Sequence, residues 1–175
     1  MKRIVIMNCI TISLIVSLLV KDASIVDIFW GPAFIVLGSS LLVSMDQVYS
    51  ERSLFILFLV SLWAIRLASH IGFRNIGHGE DFRYVEWRKE SGKNYWWHSF
   101  IRVFLLQGGL CTLVGVSIYF GYLNEKPLSF IETMFSSTIF FIGLAWESIS
   151  DLQLKTFRKN TKNKGKICKS GLWKY

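Results

Sequence analysis

Apolar residues fall in blocks of membrane-spanning length along this chain, and polar residues gather between the blocks. The first block runs from Ile4 to Val20 behind Lys2 and Arg3. It reads as an uncleaved transmembrane helix rather than a signal peptide. No small-x-small cleavage site follows it, and a second block starts almost at once. The others are Ile25–Ser44, Leu54–Phe73, Ser99–Tyr122 and Leu128–Ala145. Each is near the roughly 20 residues that a helix needs to cross hydrocarbon. The pattern predicts an all-α, polytopic membrane helix bundle of about five transmembrane helices, forming one transmembrane domain over residues 1–175. Residues 75–98 read as a polar loop ending in Tyr95, Trp96, Trp97 and His98, an aromatic belt at the membrane surface. The stretch 159–174 reads as a basic tail with no apolar span.

Polar residues inside the blocks are the informative exceptions, because charge in hydrocarbon is expensive unless it is partnered or used. Asp27, Trp30 and Phe34 follow steps of three and four and share one face of the second span. Two readings of Asp27 stand: an acid favoured by the helix dipole near the interface, or a functional carboxylate. Gly31-Pro32 is expected to bend this helix in its first turns. In the third span Trp63, Arg66, His70 and Arg74 form a stripe by steps of three, four and four. Arg66 lies about two turns inside the membrane edge and should face the bundle or a wet cavity. Arg74 suits snorkelling toward headgroups, and His70 suits packing. The guanidinium fork of an arginine matches phosphate. In the fourth span Gly108-Gly109 is expected to allow close helix approach or a ligand against the backbone. Beyond the fifth span, the run Trp146–Arg158 carries Glu147, Asp151, Lys155 and Arg158 on one helical face. This stripe is either a solvated helix end or a ligand-binding face.

Composition narrows the class. The chain of 175 residues is 52% hydrophobic, with 7 Trp and 14 Phe, which is too apolar and aromatic for an ordinary soluble domain. The formal net charge of +8 would allow a nucleic-acid partner, but its placement argues for none. Eight Lys or Arg follow Asp151 and five lie between Arg74 and Lys93, beside apolar spans, where they meet anionic headgroups. The three cysteines form no CxxC pair, so neither a disulfide framework nor a metal site is indicated. With five spans, one side holds four Lys/Arg (Lys2, Arg3, Arg52, Lys126) and the other fourteen. The positive-inside rule then places the 74–98 loop and the tail in the cytoplasm, with the chain in the cell (inner) membrane. Both charged clusters, Arg66–Tyr84 and Glu147–Arg158, end on that side and are expected to line one cytosol-facing pocket.

Five motifs in order carry a resemblance. They are Ser24-Ile-Val-Asp27-Ile-Phe-Trp30-Gly31, Arg66-Leu67 with Arg74, Gly79-Glu80-Asp81-Phe82-Arg83-Tyr84, Glu147-x3-Asp151-x-Gln153-x3-Phe157-Arg158, and Gly171-Leu172-Trp173-Lys174-Tyr175. The chain resembles the bacterial branch of the steroid 5α-reductase family. That resemblance implies a helix bundle holding NADPH on its cytosolic side, with Arg66, Arg74, Glu147, Asp151 and Arg158 as cofactor-binding positions. It implies hydride transfer to the C=C of a lipophilic enone, with an acid at the developing enolate oxygen. From the residues themselves, Tyr84 and Asp27 are the candidate acids, Asp27 only if burial keeps it protonated. The family's Gly-Leu-Trp-Lys-Tyr is normally followed by a Ser-Arg-His-Pro-Asn-Tyr-type motif and further apolar helices, so the domain is expected to be incomplete at Tyr175. The alternative cofactor is S-adenosylmethionine, because isoprenylcysteine carboxyl methyltransferases resemble this family at their carboxyl ends. A third alternative is a non-enzymatic remnant or scaffold whose charges only anchor it.

Overall fold

A computed structural model describes residues 26–44, 50–75, 82–124 and 126–175. The predicted first span at 4–20 lies outside these. Among the described residues the chain is all helical: α1 (Val26–Ser44), α2 (Glu51–Asn75), α3 (Phe82–Ser91), α4 (Tyr95–Ser99), α5 (Leu106–Leu123) and α6 (Phe130–Lys159). Short 3-10 turns cover Gly92–Asn94, Thr161–Asn163 and Gly171–Lys174. The chain divides into two compact units, 1–127 and 128–175, and each is taken by itself.

In the first unit α1, α2 and α5 pack together. Their contact residues recur by fours and threes, the spacing of one helical face. Phe34, Leu41, Ile118 and Tyr122 are buried at the centre, with Trp30, Leu37, Ile56, Val60 and Trp63 around them. Phe34 sits between two indoles, its ring centroid 5.9 Å from Trp30 and 5.7 Å from Trp63 in tilted and edge-on geometry. Such pairs add roughly 0.5–1.5 kcal/mol beyond their area.

The closest approach is backbone to backbone. Gly31 of α1 lies so near Ala64 of α2 that a methyl group there would overlap the Ala64 carbonyl. Seven residues on, Gly38 meets Leu57. The numbers fall on α2 as they rise on α1, so the two helices run antiparallel. Gly115 and Gly121 of α5 fit against Leu37 and Ile56, whereas Gly109 faces open space. Of the pair Gly108-Gly109, Gly109 makes no close approach, while Gly108 is buried. At the other end Arg52 ties α2 to the connector, donating to the carbonyls of Lys126 (3.1 Å) and Pro127 (3.4 Å).

The stretch read as a polar loop is a correction. It contains α3 and α4, because Phe82–Ser91 has no Gly or Pro and is rich in Glu, Arg and Lys, which favour helix. The expected fourth span also divides, with Phe100–Leu105 π-helical and α5 starting only at Leu106.

In the second unit α6 is one continuous helix of 30 residues. It opens on a capping box: Ser129 Oγ accepts from the Glu132 amide at 3.2 Å, and Glu132 Oε2 accepts from the Ser129 amide at 3.0 Å.

Among the described residues two helices, α2 and α5, are long and apolar enough to cross a membrane, and α1 is apolar over the shorter Asp27–Val43. Only 6% of the apolar window of α2 and 22% of that of α5 is buried. The core helix of a soluble protein would be mostly covered, so these helices associate with lipid instead. Phe130, Ile131, Phe135 and Ile142 of α6 are exposed as well.

Gly31→Ala is expected to destabilise the first unit by about 1–3 kcal/mol through overpacking. Gly109→Ala should be neutral or stabilising by up to about 1 kcal/mol. Thermal unfolding of both variants in detergent checks this.

Candidate functional site

Two places concentrate polar chemistry, one in each unit. The first is the end of the three-helix packing where α1 and α5 begin. Asp27 lies one turn, about 6 Å, before Gly31. Because α1 and α2 are antiparallel through Gly31 and Ala64, Asp27 is level with the Arg66–His70 turn of α2. Asp27, Arg66 and His70 are each half-buried. Gln107 joins this level: its Oε1 accepts from the Trp30 indole N–H at 2.8 Å. An indole nitrogen only donates, so the bond fixes the Gln107 amide with its oxygen toward Trp30 and its NH2 group directed away. The structure thus brings two of the predicted residues, Asp27 and Arg66, to one end of one bundle.

Arg74 is exposed in the last turn of α2, where its Nε donates to Asn75 Oδ1 at 3.3 Å. Tyr84 falls in the first turn of α3. Gly79, Glu80 and Asp81 lie outside the described residues. Among the described residues no three His, Cys, Asp or Glu groups gather as a metal site.

The second place is the charged half of α6 and what folds back on it. Glu147 and Asp151 are half-buried and one turn apart, while Arg158 is exposed in the last turn. After α6 the chain reverses. Asn163 Nδ2 donates to the Phe157 carbonyl at 2.9 Å, and Asn160 Oδ1 accepts from the Lys162 amide at 3.0 Å. The basic tail then returns along α6. The Leu172 amide donates to Gln153 Oε1 at 2.8 Å, and the Trp173 indole donates to the Ser150 carbonyl at 2.8 Å.

This reversal borders a half-open cavity of about 600 Å3. Arg158, Lys164 and Lys166 give it three cations, Asn160, Thr161 and Asn163 give it neutral polar groups, and Leu154, Phe157 and Trp173 form an apolar wall. Among the described residues no carboxylate lines it. Of the predicted cofactor residues, Arg158 belongs to this cavity and Glu147 and Asp151 do not.

Lys164, Lys166, Trp173 and Gln153 were legible only as motif letters or as tail charge. The usable signal was Gly171, which a chain reversing onto a helix requires at positive φ (61°).

Fold and surface define an all-helical, membrane-associated protein. The chain belongs to the DUF1295 family, whose model, described as a protein of unknown function, matches residues 13–175. No curated protein and no solved structure matches it.

The Trp30–Gln107 bond is expected to couple α1 to α5. In a cycle of Trp30→Phe, Gln107→Leu and the double variant, the coupling should be about 0.6–2 kcal/mol, read from unfolding in detergent.

Proposed function

We propose that this chain belongs to an integral membrane oxidoreductase of the steroid 5α-reductase type, which transfers hydride from NADPH to the C=C of a lipophilic enone. The observation that carries the reading is the cavity of the second unit, with three cations, no carboxylate and an aromatic wall. That donor set fits a cofactor with several phosphates and ring systems. It fits S-adenosylmethionine poorly, since that molecule brings a sulfonium cation and no phosphate. Arg158, Lys164 and Lys166 are exposed around one half-open cavity, which leaves them accessible to an incoming phosphate.

In this reading Arg158, Lys164 and Lys166 hold phosphate oxygens, Arg158 with its two-pronged fork. Asn160, Thr161 and Asn163 add neutral hydrogen bonds. Glu147, Asp151, Arg66 and Arg74 lie outside this cavity and are cofactor positions only by the sequence reading. NADPH, when bound, supplies the hydride. Tyr84, or Asp27 when protonated, donates to the enone oxygen as negative charge develops there. The apolar helices deliver the lipophilic substrate from the bilayer. The finer architecture is a bundle of about five spans in the cell membrane, with residues 74–98 and the tail cytoplasmic. The distribution of basic residues supports that orientation.

The test is saturable NADPH binding to the detergent-purified chain, followed by nicotinamide fluorescence. Arg158→Ala and the double variant Lys164→Ala/Lys166→Ala should each weaken binding about tenfold or more, and rising salt should weaken it further. Absence of NADPH binding, or saturable binding of S-adenosylmethionine in its place, overturns the reading.

A further inference from the structure

The tail does more than supply charge. Its last described turn, Gly171–Lys174, is fastened to α6 by two hydrogen bonds from residues that are consecutive in the tail. One runs from the Leu172 amide to Gln153 Oε1, the other from the Trp173 indole to the Ser150 carbonyl. Ser150 and Gln153 lie three apart, on neighbouring turns of one helix face. The Gln153 amide fills the space beside Gly171, where a methyl group would overlap it. Gly171 also holds positive φ, a conformation in which any side chain is strained. The consequence falls on the cavity. Trp173 belongs to its wall, and the Gln153 contact is what brings the tail back over the 19 residues that separate Gln153 from Leu172.

From this arrangement we infer that Gln153 is a positioning residue: it latches the Gly171–Lys174 turn and so places Trp173 as the ring-binding wall of the cationic cavity. The inference rests on the reading of that cavity as a cofactor site. It separates two functions within the cavity. Arg158, Lys164 and Lys166 attract phosphate wherever the turn lies, while the aromatic wall selects the organic part of the ligand only when the turn is latched.

That separation gives a test that a merely structural role would not pass. Dissociation constants are measured for NADPH and for inorganic pyrophosphate on the full chain in detergent. Gln153→Ala should raise the NADPH constant about tenfold, the scale of one lost ring contact, and leave pyrophosphate within about twofold. Gly171→Ala, which displaces the same amide, should do the same. Gln153→Glu keeps an acceptor for the Leu172 amide and should stay close to wild type. R158A should weaken both ligands. If Q153A is not recovered folded, W173F decides, because it keeps a ring but loses the bond to Ser150; it should show a smaller loss confined to NADPH. Equal weakening of both ligands by Q153A, or no change in either, overturns the latch while the cofactor reading stands. Wild-type protein that binds pyrophosphate but not NADPH overturns both, since the wall then selects nothing.

Discussion

Backbone contact between Gly31 and Ala64 is the constraint on which the first unit depends. Hydrocarbon offers helices no hydrophobic drive to associate, so they must gain by dispersion and by the few polar bonds they can share. A glycine facing a small residue lets two helices approach until their backbones touch. Once they do, rotation and register are fixed together. Phe34 is placed between Trp30 and Trp63, and Asp27 comes level with Arg66 and His70. Trp30 is presented to Gln107 of a third helix. Substituting the glycine would disturb every one of these relations, which is why so small a residue governs the geometry of a charged bundle end.

The second unit solves a different problem. A single helix with an apolar first half and a charged second half has little core of its own. Its order comes from local hydrogen bonding: a capping box at Ser129, paired asparagines at the far end, and a tail whose return is held by Gln153 and Ser150. The cavity is a product of that return. None of its cations comes from an element other than α6 and the segment that follows it, so the charge and the wall that confines it are encoded within about twenty consecutive residues.

The helices were legible because apolar blocks of spanning length leave little else for a chain to form. The four blocks that fall within the described residues became α1, α2, α5 and the first half of α6. Three things were less legible. Residues 82–91 were read as loop because polarity was weighed above helix propensity. Paired glycines at 108 and 109 are conspicuous in the sequence, whereas the close contact of Gly115 with Leu37 has no such mark, because packing is decided by what lies opposite. The fold-back of the tail has no periodic signature, since a side-chain amide receiving one backbone N–H from 19 residues away does not repeat. Asp27 and Arg66 were named separately on face arguments alone. Their common level needed the antiparallel register, which periodicity within one helix cannot supply. Arg158 is marked both by its place on the charged helix face and by the resemblance, whereas its companions Lys164 and Lys166 register only as tail charge.

Continuity of α6 has a mechanical consequence. Thirty residues at 1.5 Å each make a rod of about 45 Å, against hydrocarbon about 30 Å thick. The apolar stretch Phe130–Trp146 runs without a break into the half that carries Glu147, Asp151 and Arg158, so any displacement of the apolar half moves the charged half with it. Were that apolar half immersed in lipid, mismatch between its length and the local membrane would be relieved by tilt or vertical shift. A thicker bilayer would then draw the carboxylates toward the headgroups and a thinner one would lift them clear, making lipid composition a dial on the electrostatics of the charged face.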